Sequence, residues 1–329
     1  MGQHTTIAID AMGGDRAPEA IVAGAVRAAS ELDVRVLLVG LPDAVEPLIP
    51  AGITNLEFIA TTEFVAMDEA PSSVRTKKDA SIVRCAQLVK DGHADGMVSA
   101  GNTGATMAAA LLRMGRIKGV ARPAIAVPIP VPGHRPQIMV DGGAAVDCAP
   151  EWLLQFAILG REYARVRFDI DEPRIGLLSN GEEAGKGDDL RKKTSVLLET
   201  LPGFIGNVEG RDFMHPGVDV IVTDGFTGNV ALKTIEGTIR GTAKLVFDAL
   251  DDPAIKAAAA AVMPALLAAA ATLDPDTEGG AVLLGVDGVC LVGHGSSSEV
   301  AIVNAVERAI ECVEQRVVAR CKEAVEHAR

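Results

Sequence analysis

Short apolar runs recur along the chain, each closed by a polar, glycine-containing turn and followed by a helical pattern. Thr6–Asp10 runs into Ala11-Met12-Gly13-Gly14-Asp15 and then a helix from about Pro18. Val34–Val39 ends at Gly40, and Met97-Val98 leads through Ser99-Ala100-Gly101-Asn102-Thr103-Gly104 into an Ala-rich helix. Ile138–Val140 leads to Asp141-Gly142-Gly143, after which Pro150 opens a helix over Trp152–Tyr163 as a favourable first-turn residue. Ile175–Leu178 leads to Ser179-Asn180-Gly181, Val218–Thr223 to Asp224-Gly225, and Val289–Val292 to Gly293-His294-Gly295. Repeated strand–turn–helix units predict βαβ crossovers and a mostly parallel α/β sheet with helices on both faces. Ligands of such sheets sit beyond the carboxyl ends of the strands, where these turns fall.

No linker or composition break divides residues 1–329, so the chain reads as one unit with room for two lobes. The exception is 237–276, a long helical stretch whose middle is almost pure Ala, Val, Met and Leu. Pro264 predicts a bend, and hence a projecting helical hairpin with an apolar tip over Ala257–Ala271. Two uses fit that tip: packing within the protein or a dimer, or contact with a membrane surface, for which Lys244 and Lys256 would suit anionic headgroups.

Composition narrows the function classes. Hydrophobic residues make up 48% of the chain but aromatics only 3%, which suits small and β-branched packing on a buried sheet. The formal net charge of −13 argues against a general nucleic-acid binder. Met1–Thr6 lacks a signal-peptide pattern. Cys85, Cys148, Cys290, Cys312 and Cys321 are odd in number and widely spaced, which predicts reduced thiols in a cytoplasmic protein and no structural zinc. The Ala257–Ala271 run is shorter than the roughly 20 residues a spanning helix needs.

Two turns echo each other as V-[ST]-x-G-x-T-G: Val98–Gly104 and Val222–Gly228. Each runs from a strand into a helix, so free backbone N–H groups and the positive helix end can hold an anion without a cationic side chain. Singly, each threonine reads as a helix cap; as a matched pair at one sheet edge, they point to an anion or acyl-oxygen site. Asp10–Asp15 is a third such turn, with Gly13 and Gly14 permitting close backbone approach, but it is no G-x-G-x-x-G. Gly181–Gly187 resembles a P-loop but misses the spacing by one residue, with no Ser or Thr after the lysine, so a nucleotide site is unsupported. Lys186, between two glycines, reads either as a cation for a small oxyanion or as a solvated loop lysine.

Arg75-Thr76-Lys77-Lys78, the Arg113/Arg116/Lys118/Arg122 group and the Arg161/Arg165/Arg167 group are the basic patches able to steer an acidic partner. The six histidines show no metal-ligand spacing; His294, between glycines at a strand end, is the one placed like a site residue. Cys148, just before a helix N-terminus, is either an activated nucleophile or a quiet half-buried thiol.

Taken in order, these motifs resemble the phosphate acyltransferase (PlsX) family of bacterial phospholipid synthesis. The matching stretches are IAIDAMGGDRAPEAIVAGA from Ile7, SVRTKKDAS from Ser73, SAGNTGA from Ser99, RPAIA from Arg122 and VDCAPEWLLQFAILG from Val146. They continue with GLLSNGEEAGKGDDL from Gly176, GNVEGRDF from Gly206, DGFTGNVALKTIEG from Asp224 and GGAVLLGVDGVCLVGHGSSS from Gly279. Ala145 stands where the family commonly has Asn. The resemblance implies an isocitrate/isopropylmalate dehydrogenase-like, phosphotransacetylase-like fold and a homodimer. It also implies a reversible transferase that makes acyl phosphate from acyl-[acyl carrier protein] and inorganic phosphate, without cofactor or metal. The product would feed a membrane acyltransferase acting on glycerol 3-phosphate, and loose peripheral membrane association would follow.

That chemistry needs an anion pocket beside a thioester carbonyl, with donors for the oxyanion. Lys186, Asn229 and Asn102 are the candidate catalytic residues. Phosphate is assigned to Asp10, Gly13, Gly14, Asp15, Ser99, Thr103 and Gly104 together with Lys186. The acyl carbonyl is assigned to Asn229, Thr227 and the His294 turn, and Asp224 is a further phosphate- or substrate-binding candidate. Rival readings are a phosphotransacetylase-like enzyme on acyl-CoA, a nicotinamide- and metal-dependent dehydrogenase by fold analogy alone, and a non-catalytic membrane scaffold. An acidic carrier would be opposed by the average charge, so Arg113 and Arg116 are expected to form a landing patch.

Overall fold

The computed structural model describes residues 4–328. Among these, eleven strands form one sheet: β1 (Thr5–Asp10), β2 (Val34–Gly40), β3 (Leu56–Ala60), β4 (Gly96–Ser99), β5 (Ala124–Ile129), β6 (Gln137–Val140), β7 (Ile175–Leu178), β8 (Phe204–Val208), β9 (Val220–Val222), β10 (Ala281–Leu284) and β11 (Val289–Val292). The helices are α1 (Glu19–Glu31), α2 (Pro42–Val45), α3 (Ser81–Lys90), α4 (Thr103–Arg113), α5 (Pro150–Phe168), α6 (Asp189–Leu198), α7 (Gly225–Leu250), α8 (Lys256–Ala271), α9 (Glu299–Glu314) and α10 (Val317–His327). The strand order is β3-β2-β1-β4-β11-β10-β5-β6-β9-β7-β8.

Side-chain alternation along the strands builds a core on each face of the sheet. Ile7, Ile9, Val36 and Leu38 join α1, α5, α9 and α10 in one cluster. Their neighbours Ala8, Leu37 and Val39 join α3 and α4 in the other. Helices on both faces of a mostly parallel sheet is therefore the observed architecture, as the repeated units predict.

The centre of the sheet departs from that pattern. The pairings β11–β10, β10–β5 and β5–β6 are antiparallel, so β4 and β9 belong to halves that run in opposite directions. The two matching turns accordingly leave opposite sheet edges, not one edge as the sequence reading has it. Sheet twist of roughly 20–25° per strand, over the five steps from β4 to β9, offsets much of this reversal. It brings the two carboxyl ends to within about 55–80° of a common direction. In the hairpins responsible, β5–β6 and β10–β11, the first strand runs into another strand and not into a helix, so a reading built on strand–turn–helix units passes over β5 and β10.

Two consecutive helices, α7 and α8, occupy the stretch expected to form a helical hairpin, but the first begins earlier and the chain turns elsewhere than expected. α7 runs unbroken from Gly225, because Asp224 caps it by accepting the Thr227 N–H at 2.9 Å and no breaker follows until Asp252-Pro253. The turn is Asp251–Ile255, and Pro264 sits inside α8, where a run of alanines with high helix propensity sustains the helix. The apolar run Ala257–Ala271 is thus the returning arm, not the tip, which carries Asp251 and Asp252. Both arms stand away from the core: α7 buries only Gly225 and Gly228, and α8 only Ala259.

Candidate active site

A cavity of about 500 Å³ opens where the two halves of the sheet meet, within the range typical of ligand sites. It is lined by the N-terminal residues of two helices, Thr103 and Gly104 of α4 and Gly225 and Phe226 of α7. Gly142 and Gly143 after β6, and Gly293, His294 and Gly295 after β11, complete this end. The first N–H groups of a helix have no intrahelical partner, so two positive helix ends bound one cavity.

The predicted site residues divide into three groups. Thr103, Gly104, Asn229 and His294 line the cavity. Asn229 stands on the first turns of α7 against Gly143, where a side chain on that glycine would contact the asparagine.

The second group braces the walls. Ser99 Oγ donates to buried Asp10 Oδ2 at 2.7 Å and accepts the Gly101 N–H at 3.1 Å, while the Met12 N–H donates to Asp10 Oδ1 at 3.2 Å. Burial pushes the Asp10 carboxyl above the usual carboxylate range, partly offset by bonds from Ser81, Ser99 and the Met12 N–H. Gly13 must be glycine, because a Cβ would lie 2.7 Å from both Asp10 Oδ2 and Gly101 N. Gly14 has φ +121°, and the Asp15 N–H donates to the Gly295 carbonyl at 2.7 Å, tying this turn to the back of the His294 turn. Asn102 is the α4 cap: Oδ1 accepts the Ala105 N–H at 3.0 Å, and Nδ2 donates to the Met67 and Glu69 carbonyls. The caps of the matching turns are therefore Asn102 and Asp224, not the threonines.

Asp224 and Thr227 form a second brace around a residue the sequence reading misses, buried Arg191 of α6. Its guanidinium pairs with Asp224 and donates to Thr227 Oγ1 at 3.0 Å and Thr223 Oγ1 at 3.2 Å. Burial acts to raise the Asp224 carboxyl, but the Thr227 N–H and hydroxyl and the Arg191 charge outweigh it, leaving Asp224 below its usual value. Asp141 holds the facing turn by accepting four backbone N–H groups, from Ile125, Gly143, Ala144 and Ala145, at 2.7–3.1 Å.

Lys186 stands apart. It lies exposed on the β7–α6 loop, with its side chain against Gly181, and does not line the cavity. The loop does adjoin the start of α7, since Gly187 packs on the Arg191 stem and Arg191 bonds Thr227.

Of the two cations that line the cavity, Lys233 and Arg240, the one beside His294 is Lys233. Its Nζ lies 3.0 Å from Glu236 Oε2 and 3.5 Å from His294 Nε2. Arg240 reaches the same Glu236 oxygen at 3.4 Å. His294 Nδ1 lies 2.8 Å from Ser296 Oγ and 3.3 Å from the Ser296 N–H, while Nε2 is the ring nitrogen turned toward Lys233. Asn229, Lys233, Glu236 and Arg240 recur at spacings of four, three and four, one face of α7. That periodicity is written in the sequence but goes unread when the helix is started at 237. Cys148 is half-buried and donates to the Ala145 carbonyl at 3.3 Å; burial pushes its thiol up to about 11, against the Gly225 N–H, so the nearby helix end does not activate it.

A family model described as fatty acid synthesis protein matches residues 5–320. The chain is 44% identical to a phosphate acyltransferase of Leptospira biflexa over 96% of each chain, and 47% identical to one of Heliobacterium modesticaldum, again over 96% of each. Among solved structures it is similar to a phosphotransacetylase from Streptococcus pyogenes, with a TM-score of 0.63 at 19% identity over 95% of each chain, a likeness of fold.

Proposed function

Because the chain belongs to the fatty acid synthesis protein family, whose curated relatives are phosphate acyltransferases, we propose that it transfers an acyl group from acyl-[acyl carrier protein] to inorganic phosphate. The observation that carries this reading is the cavity itself: two helix N-termini, a lysine and a histidine ring meet at the mouth of a slot with one apolar wall. Phosphate is already anionic near neutral pH, so attack on a thioester needs no strong base. A phosphate oxygen adds to the carbonyl carbon, the oxyanion forms, and the C–S bond breaks. The sulfur departs as thiolate, and the ordinary thiol pKa of about 8.5 makes it a ready leaving group. Acyl phosphate and free carrier thiol are the products, and the reaction is reversible.

In this scheme the N–H groups of Thr103, Gly104 and Phe226 hold the phosphate, the Gly225 N–H being taken by the Ala145 carbonyl, with Lys233 supplying charge from within and Lys186 from the adjoining loop. Asn229 and the His294 ring serve the acyl carbonyl and stabilise its developing negative charge. Asp10, Gly13, Gly14, Asp15, Ser99, Asn102, Asp224 and Thr227 fix the turns that aim those donors. Arg113, at the far end of α4, and Arg116, just after it, offer a basic landing for an acidic carrier. The exposed apolar residues of the hairpin, Leu245, Val262 and Leu267, support a homodimer contact and peripheral attachment to a membrane carrying the next acyltransferase. The test is acyl phosphate formation by the purified protein with the carrier thioester and phosphate. Acyl phosphate from acyl-CoA alone would assign the phosphotransacetylase-like donor instead.

A further inference from the structure

The cavity continues well past the reacting end, along one flank of α7 as far as Ile239 and Arg240. From Phe226 to Ile239 this is about 20 Å of helix at 1.5 Å per residue. The polar stripe through Asn229, Lys233 and Glu236 borders it on one side. Leu232, Ile235 and Ile239, at helical spacings of three and four, line its length, facing Ile125, Val127 and Ile129 from one face of β5. A slot with aliphatic side chains along one wall and a polar stripe along its border fits an extended alkyl chain whose carboxyl carbon sits where the two helix N-termini meet.

We propose that this flank of α7 is a ruler for acyl-chain length, with Leu232, Ile235 and Ile239 as successive marks; it rests on the acyl-transfer reading above. Extended chains advance about 1.2 Å per backbone bond, one third of the rise of a fully stretched residue. Counted along the helix from Asn229, the three side chains stand near carbons of about four, seven and twelve. All three are only half-buried on a helix outside the main core, so a larger side chain at any of them fills the slot without overpacking the body.

The experiment is a chain-length profile, hexanoyl to octadecanoyl thioesters with phosphate, for the wild type and for Leu232→Trp, Ile235→Trp and Ile239→Trp. Each methylene that loses its seat lowers kcat/KM about fourfold. Ile239→Trp is expected to leave hexanoyl to decanoyl kcat/KM unchanged and to reduce hexadecanoyl kcat/KM about two hundredfold relative to decanoyl. Ile235→Trp moves the cut-off to octanoyl, and Leu232→Trp impairs every chain. The unchanged short-chain kcat/KM of Ile239→Trp is its own control for folding. A uniform loss at all lengths, or a cut-off that does not follow residue position, overturns the ruler while leaving acyl transfer to phosphate intact. A changed oligomeric state with an unchanged profile also overturns it, and gives this flank to a second copy of the chain. No acyl phosphate from any thioester with the wild type would refute the underlying reading instead.

Discussion

Lys233→Met separates the cation beside His294 from the one on the loop. Lys233, Arg240 and Glu236 together leave one net positive charge beside His294, and removing Lys233 cancels it. A charge pair at 4 Å in an effective dielectric of 20 is worth about 4 kcal/mol. The Lys233 side chain is 52% exposed, so solvent screening reduces the attraction for phosphate to roughly 2 kcal/mol, a factor of about thirty in kcat/KM. Folding stability should barely change, because an exposed pair such as Lys233–Glu236 contributes at most about 1 kcal/mol. The assay is acyl phosphate formation with phosphate varied at saturating thioester, alongside a melting curve. Lys233→Arg should restore most of the loss, since charge and reach are kept. Lys186→Ala should also lower turnover at constant Tm, its charge being supplied from an exposed loop. A Lys233→Met enzyme with normal kcat/KM for phosphate would refute the electrostatic role assigned to α7.

Three further outcomes follow from the geometry. A Cβ at Gly228 would overlap the Asp141 carbonyl oxygen, so Gly228→Ala should shift the start of α7, cost about 1–3 kcal/mol in a melting experiment and lose activity out of proportion. With its thiol pushed up to about 11 by burial, Cys148 is thiolate in only about one molecule in a thousand at pH 8. Alkylation of Cys148 should therefore rise about tenfold per pH unit up to that value, and Cys148→Ala should keep full turnover, with no acyl-enzyme trapped. Leu267→Asp, on the exposed face of α8, should weaken sedimentation with anionic vesicles while acyl phosphate synthesis in solution persists; unchanged sedimentation would remove this arm from membrane contact.

What the sequence reveals here is local, and what it conceals is assembly. Apolar runs closed by Gly turns are legible because period-two burial and helix caps leave their mark within a dozen residues. Asp10–Asp15, Ser99–Gly104 and Asp224–Gly228 can thus be picked out as wall-building turns. The reversal at β10–β5–β6 is set by pairing across distant segments, so the meeting of two helix ends from opposed half-sheets has no local signature. Lys233 and Glu236 are hidden by a misplaced boundary: the long helical stretch is read from 237, although α7 runs unbroken from Gly225. Arg191 escapes notice because a buried arginine looks like any helix-surface cation until its partners Asp224 and Thr227 are placed beside it. Lys186 shows the converse, a lysine singled out by its glycine neighbours whose position outside the cavity only the fold reveals.

The central claim is that phosphate attacks a carrier-bound thioester in this cavity. Its most direct test is to incubate the purified protein with acyl-[acyl carrier protein] and phosphate, following acyl phosphate by phosphorus NMR and free carrier thiol together. Equal amounts of both products, appearing only when phosphate is present, are predicted. Thiol release without acyl phosphate, or no reaction with the carrier thioester at all, would contradict the account.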